Sequence, residues 1–270
     1  MAGTGLSGQA KRRAAEVLWS AWQEGRHLGG LPEDCRPQTV AEGYQIQTFV
    51  AQLSGSRPVG WKIAATSKAG QAHIGVDAPI AGRLLADRVK QDGATVPIAG
   101  CIMRVAELEF AFRIGESMTR RSEPFDQIDV MGQVASLHPA IEMPDSRYAD
   151  YARVGAPQLA ADNACAHYCV IGPAAPDNWR QIDLAAHRTV ATLNGRPAGE
   201  GSGANVLGDP RIALTWLANE LRKRDLRLMA GDIVITGTSL KPIPVASGDR
   251  VVGDFGELGK VSMAFADSVG

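Results

Sequence analysis

The sequence predicts a mixed α and β chain, helical at the front and built of strands behind. Three observations predict it. Residues 10–53 carry two patterns of helical spacing. From Val59 onward, short apolar runs bounded by glycine and proline recur, as strands do. Arg104-Val-Ala-Glu-Leu-Glu-Phe-Ala-Phe-Arg113 alternates acidic and apolar residues, the period of a strand with two unlike faces.

The chain of 270 residues carries a formal net charge of -1, so it can bury a full core, and one large domain or one and a half is expected. The near-neutral balance argues against nucleic acid as a main partner. The basic runs Lys11-Arg12-Arg13 and Arg222-Lys223-Arg224 fall on helical patterns and read as solvated faces. No apolar run approaches the roughly 20 residues of a membrane span, and the front of the chain lacks the apolar core of a secretory signal. Cysteines stand at 35, 101, 165 and 169 without the spacing of a disulfide framework, which suits a reducing cytoplasm.

In chain order, residues 1 to about 8 are small and glycine-rich and read as disordered. Val17, Leu18 and Trp22 place a helix from Ala10 to about Arg26. Thr39-Val-Ala-Glu42 is a capping box, and Tyr44, Ile46, Gln47 and Val50 lie along the helix it opens, to about Leu53. Residues 1–58 therefore form an N-terminal helical segment and 59–270 a second unit. Val59-Gly-Trp-Lys-Ile-Ala64 is a strand with a lysine inside it. Ser67 to Ile74 is a short helix, Gly75 to Pro79 a turn, and a loosely stranded stretch runs to about Val96. Pro124 to Leu137 has roughly helical spacing at Phe125, Ile128 and Met131, and His138-Pro-Ala-Ile-Glu-Met-Pro144 follows as a short strand. Pro157 to Ala161 reads as a loop and residues 164–171 as a strand. Asn194-Gly195 supplies the turn of a hairpin. Gly199-Glu-Gly-Ser-Gly203 lacks the spacing of a phosphate loop and reads as flexible. Asp209 caps and Pro210 starts the strongest helix, with Ile212, Ala213, Trp216, Leu217 and Glu220-Leu221 giving its apolar stripe and border. Gly231 to Ser239 is a strand, and Gly248 to Phe265 a closing hairpin that turns at 256–259.

Chemistry concentrates in the acidic strand. Glu107 and Glu109 point to one face of it, where two carboxylates repel unless a proton or cation lies between them. A strand–helix–strand unit would return Glu142 beside them. Three carboxylates suit a hard divalent cation such as Mg²⁺ or Mn²⁺. The competing reading is an edge strand with solvated glutamates. Lys62, within an apolar run, needs an anionic partner if buried. Cys165, His167 and Cys169 alternate and could present zinc ligands on one strand face; the commoner meaning of such a run is a buried strand with small apolar thiols.

Several short motifs then occur in one order. They are Gly60-Trp-Lys62, the paired acids at 107 and 109, Pro139-Ala-Ile-Glu142, Ala161-Asp-Asn163, Val206-Leu-Gly-Asp-Pro210, Ala230-Gly-Asp-Ile-Val-Ile-Thr-Gly-Thr238 and the closing Val-Ser-Met-Ala-Phe265. Together they resemble the hydratase/decarboxylase branch of the fumarylacetoacetate hydrolase family, across nearly the whole chain. The resemblance implies an α+β fold, a rolled mixed β-sheet with flanking helices, and a homo-oligomer or a hydratase paired with a decarboxylase. It implies Mg²⁺ or Mn²⁺ at Glu107, Glu109 and Glu142, a catalytic lysine at Lys62, and substrate binding at Thr238 and Asn163. One position departs: several hydratases carry an acid just after the proline of the Gly-Val-Asp-x-Pro turn, and here Ile80 follows Pro79.

The implied activity is addition of water to a 2-hydroxy-2,4-dienoate, giving a 4-hydroxy-2-oxo acid in aromatic catabolism. The alternatives are a 4-oxalocrotonate-type decarboxylase, an acylpyruvate-type C–C hydrolase using His138 or His73, and a non-catalytic scaffold. A second substrate carboxylate would need a basic reader, for which Arg104, Arg147 and Arg153 are candidates. Covalent serine chemistry lacks its G-x-S-x-G elbow.

Overall fold

The computed structural model describes residues 5–268. Helix α1 (Gly8–Glu24) is capped by the Ser7 hydroxyl and ends at Gly25 with φ of 61°, a left-handed closure that glycine adopts without strain. Residues 1–4 of the stretch read as disordered lie outside the described residues. The rest of it is ordered: the Leu6 N–H donates to Glu42 at 2.7 Å. Helix α2 (Val40–Leu53) opens with the predicted capping box of Thr39 and Glu42, and buries Tyr44, Ile46, Gln47 and Val50.

Strand β1 (Pro58–Ala64), helix α3 (Lys68–His73), and strands β2 (Ile80–Leu85), β3 (Val89–Gln91) and β4 (Thr95–Pro97) follow. Next come β5 (Val105–Ile114), α4 (Gln127–Gly132) and β6 (Val134–Met143). Here the structure corrects the sequence reading. The helix between the acidic strands spans two turns rather than Pro124 to Leu137, and Ile128 is 83% exposed. Residues 134–137 instead extend β6, because pairing with β5 satisfies their backbone and buries Leu137 against the core.

Residues 157–161, read as a loop, belong to helix α5 (Ala156–Ala161). Strand β7 is confined to Tyr168–Ile171, since residues 163–165 turn sharply before it. Strands β8 (Arg188–Leu193) and β9 (Arg196–Ser202) form the predicted hairpin, with positive φ at Asn194 and Gly195. The glycine-rich run 199–203, expected to be flexible, lies mostly in β9, and its Ser202 N–H donates to the Ser239 carbonyl. Helix α6 (Pro210–Arg222) has the predicted Asp209 cap, but Ile212 is exposed, and Ala213, Leu214, Leu217 and Leu221 form the buried stripe. Strands β10 (Ile233–Thr238), β11 (Ile243–Pro244), β12 (Arg250–Asp254) and β13 (Lys260–Ala266) complete the chain.

The strands form two sheets. The larger runs β2-β1-β10-β5-β6-β7-β3, with β11 pairing β5, and the smaller runs β4-β13-β12-β8-β9. This mixed α+β fold, with parallel and antiparallel neighbours, agrees with the expected class. Leu108, Phe110 and Phe112 leave one face of β5 for the core between the sheets, where Phe110 meets Phe255 edge-on at 5.3 Å. The other face of β5 carries the acids. Helices α1 and α2 build a second core with Leu31, Tyr148 and Ala161. Among the described residues, no helix is long and apolar enough to cross a membrane.

Candidate active site

Two neighbouring antiparallel strands bring the acids together. The β5–β6 register sets Glu107 opposite Glu142 and Glu109 opposite Ala140, so all three carboxylates project from one face of the sheet. One oxygen or more from each lies within 4.8 Å of the others. Glu109 and Glu142 are 0% and 1% exposed, whereas Glu107 is half-buried and reaches a cavity.

Lys62 comes from β1, two strands away through β10, and is 3% exposed. Its Nζ lies 3.2 Å from Glu142 Oε2 and donates to the Ala164 carbonyl at 3.0 Å. A second donor comes from the irregular end of β10: the Gly237 N–H reaches Glu109 Oε2 at 2.6 Å. Only glycine permits this. Its φ is 101°, and a Cβ there would stand 2.1 Å from the Thr66 hydroxyl.

These donors leave the cluster unsatisfied. Glu109 Oε1 and Glu142 Oε1 are buried without a partner, and Glu142 Oε2 has only the ion pair with Lys62 and no hydrogen bond. The electrostatics follow. Burial, then Glu142 and Glu107, push the Glu109 carboxyl well above the usual carboxylate range. Burial and Glu142 raise Glu107 to about 7, against the pull of Lys62. Burial also raises Glu142, opposed by Lys62. Burial alone would strip the proton from Lys62, but Glu142, Glu107 and Glu109 outweigh it and hold the ammonium charged. Native proteins seldom bury orphaned carboxylate oxygens. A hard divalent cation answers both the missing partners and the repulsion, and the all-oxygen donor set fits Mg²⁺ or Mn²⁺.

Above the cluster lies a cavity of about 660 Å³. Lys62, Glu107 and Thr238 line one end, and Ile74, Ile80, Met103, Leu159 and Leu240 give much of the wall. Tyr151, His73 and Lys241 also border it, the last two exposed.

Not every expected residue faces this space. Thr238 does, but its hydroxyl donates to the Leu240 carbonyl at 2.7 Å, so a ligand carboxylate would have to take over that proton. Asn163 does not line the cavity. Its Oδ1 accepts from the Arg83 N–H at 2.7 Å and its Nδ2 donates to the Arg83 carbonyl at 2.9 Å, so the amide is spent on β2. None of the three arginines lines the cavity either. Arg147 is buried against Asp162, Arg153 pairs with Asp150, and Arg104 donates to the Cys101 carbonyl. Cys165 sits in the turn before β7, so it shares no strand face with His167 and Cys169, and the glutamates are the sole group with metal-holding geometry among the described residues. His138 has both ring nitrogens bonded, to Ser136 and Gly172, and lies off the cavity.

Sequence reading missed the Ala164 carbonyl, because nothing local marks a backbone oxygen as the partner of a lysine 102 residues away. It also missed the apolar wall, whose residues have no pattern distinct from ordinary core.

The family described as fumarylacetoacetate (FAA) hydrolase C-terminal matches residues 50–265. The chain is 33% identical over 260 residues to the 2-hydroxyhexa-2,4-dienoate hydratase of Comamonas testosteroni, covering 93% of this chain and 95% of that one. It is 32% identical over 256 residues to the 2-keto-4-pentenoate hydratase of Burkholderia vietnamiensis, covering 94% and 96%. Among solved structures, 4-oxalocrotonate decarboxylase from Pseudomonas putida, complexed with magnesium and adipate, superposes with a TM-score of 0.87 at 28% identity, covering 96% of this chain and 98% of that one. By motif order, by fold and by these matches, the chain belongs to the fumarylacetoacetate hydrolase C-terminal family.

Proposed function

We propose that the protein is a metal-dependent hydratase that acts on a 2-hydroxy-2,4-dienoate (2-oxo-4-enoate), adding water to the conjugated alkene formed when the dienol ketonises, to give a 4-hydroxy-2-oxo acid in the breakdown of aromatic compounds. The observation that carries this reading is the set of orphaned carboxylate oxygens beside a charged, buried lysine at the end of an apolar cavity. Glu107, Glu109 and Glu142 would hold Mg²⁺ or Mn²⁺, which supplies a Lewis acid for the negative charge that develops on the substrate's 2-oxygen.

The chain's own groups do the rest. The Lys62 ammonium would donate hydrogen bonds to the substrate's anionic head group and orient it. Thr238 would bond its carboxylate by exchanging the Leu240 carbonyl for it. Leu159, Ile80 and Met103 would enclose the hydrocarbon end and limit the water that reaches it. The similarity to hydratases at 33% and 32% identity favours hydration over decarboxylation, and Lys241 and His73 are the basic groups besides Lys62 that a second carboxylate would meet. The C–C hydrolase reading has less support: neither His138 nor His73 is bonded to a carboxylate among the described residues.

The catalytic unit would be residues 59–270, which include every residue lining the cavity, with 1–58 as its helical support. The near-neutral chain would work in the cytoplasm on a small 2-oxo acid, as a homo-oligomer or paired with a decarboxylase, and not on nucleic acid or membrane.

Ultraviolet spectroscopy tests the reading on 2-hydroxypenta-2,4-dienoate and on 4-oxalocrotonate, each with Mg²⁺ and after chelation. Metal-dependent loss of the dienol with formation of 4-hydroxy-2-oxopentanoate is expected. Release of CO₂ from 4-oxalocrotonate without hydration would transfer the protein to the decarboxylases.

A further inference from the structure

Residues 163–165 have an unusual backbone. Asn163, Ala164 and Cys165 have φ of 54°, 50° and 61°, three consecutive non-glycine residues in the left-handed region. Such residues normally occur singly, and a run of them persists only where its surroundings over-determine it. Here the surroundings are visible. The Asn163 amide bonds both backbone groups of Arg83, and β2 is the edge strand of the larger sheet, so this side chain stands where the next strand would. Gly82 makes room: a Cβ there would come within 2.2 Å of the Asn163 carbonyl. The Asn163 carbonyl accepts from the Ala166 N–H, and the Cys165 carbonyl from the Asp145 N–H. The carbonyl between them, that of Ala164, accepts from Lys62 Nζ at 3.0 Å.

We propose that Asn163 is a positioning residue for Lys62: its amide clamps the left-handed turn to β2, so that the Ala164 carbonyl holds the ammonium in place beside Glu142. An ammonium has three donors. One is directed at Ala164, a second lies toward Glu142 Oε2 at 3.2 Å, and the third is left for the cavity that Lys62 lines. Without the clamp, the strained turn relaxes, the carbonyl withdraws, and the ammonium collapses onto the carboxylates. The catalytic part of this inference rests on the role proposed above for Lys62; its structural part does not.

The test uses the full chain with Mg²⁺ and the variants Asn163→Gly and Asn163→Asp. Glycine accepts the left-handed backbone but has no clamp. Aspartate keeps an acceptor for the Arg83 N–H, loses the donor to the Arg83 carbonyl, and serves if the glycine variant does not fold. A crystal structure of the variant should show the Ala164 carbonyl beyond hydrogen-bond reach of Nζ. On 2-hydroxypenta-2,4-dienoate, kcat should fall about 30- to 100-fold while KM changes less than about threefold, and the half-activating Mg²⁺ concentration should rise because the ammonium then competes for the same carboxylates. A contact that survives in the variant overturns the proposal, as does a broken contact with kcat unchanged. A rise in KM at constant kcat also overturns it, because that is the signature of a residue that binds substrate directly. If the unaltered protein acts on no dienoate, the hydratase reading fails by itself, and the crystal structure of the variant still decides whether Asn163 positions Lys62.

Discussion

Among the described residues, two ion pairs are fully buried, and they differ in what surrounds them. Arg147 and Asp162 form one, 3% and 2% exposed. Asp162 Oδ2 accepts from the Ser146 hydroxyl and the Arg147 N–H, its Oδ1 from the Arg147 guanidinium, and that guanidinium lies 4.1 Å from the centroid of the Trp22 ring. Lys62 and Glu142 form the other, within a group of carboxylates that have oxygens to spare. Both pairs remove charge from water, which is expensive unless every lone pair finds a partner. The first pair satisfies both its carboxylate oxygens within the protein, leaving only the Arg147 Nη1 without a hydrogen bond, and acts as structure. The second does not, and its deficit has the shape of a ligand. Two pairs of like burial thus separate into scaffold and site on one criterion, whether the carboxylate oxygens are satisfied.

The same isosteric change at each place should break or sharpen that contrast. The largest expected effect is at the site. Glu109→Gln should cost about 1,000-fold or more in Mg²⁺-dependent turnover, several kcal/mol of electrostatic stabilisation. In the absence of metal the same variant should melt about 2–4 °C higher, because a neutral amide avoids the cost that burial and the neighbouring carboxylates impose on ionising Glu109. A thermal melt in chelator that shows it less stable would undo the claim that the carboxylates repel. Asp162→Asn should act in the opposite sense. It leaves Arg147 buried without a counter-charge and should lower stability by about 3–5 kcal/mol in urea unfolding, with or without Mg²⁺. Metal itself comes next: at about 100 times its dissociation constant, Mg²⁺ should add about 2.7 kcal/mol to the unaltered protein and far less to Glu109→Gln. An equal gain in both would separate metal binding from these acids.

The smallest effect concerns pH. Burial, then Arg88 and Arg147, hold the His167 imidazole well below its usual range. The folded chain therefore binds fewer protons at this residue than the unfolded chain does. The stability this confers is full above about pH 6.5 and declines as the pH falls below it. His167→Gln should flatten that decline between pH 7.5 and 5.5. Unchanged steepness would show that another group carries it.

What could be read in advance was local. The capping box at Thr39 and Glu42, the Asn194-Gly195 turn and the Asp209-Pro210 helix start each depend on residues within a few positions, and the structure has them all. The alternation of Glu107 and Glu109 set their common face for the same reason. Glu142 was reachable because β6 returns directly beside β5, although the connecting helix proved shorter and the strand longer than periodicity alone suggested. Asn163 was misread because its partners lie 80 residues away, on an edge strand whose free backbone the sequence does not reveal. Cys165 and His167 alternate like a strand, yet Cys165 itself belongs to the left-handed turn, and propensity cannot anticipate a conformation that tertiary bonds impose.

The free edge of β2 reaches beyond the site. Two residues before Arg83, the Ala81 N–H donates to the Tyr44 hydroxyl at 2.9 Å, and its carbonyl accepts from Gln47, which also bonds the Ala160 carbonyl at the end of α5. Helix α2 thus sews the outermost strand to the helix that leads into the left-handed turn. A chain cut before Val59 would keep every residue lining the cavity and lose those stitches. Its edge would lie open to pairing with another molecule. The boundary between helical front and stranded body is a change of pattern along the chain, not a seam along which the protein could be divided.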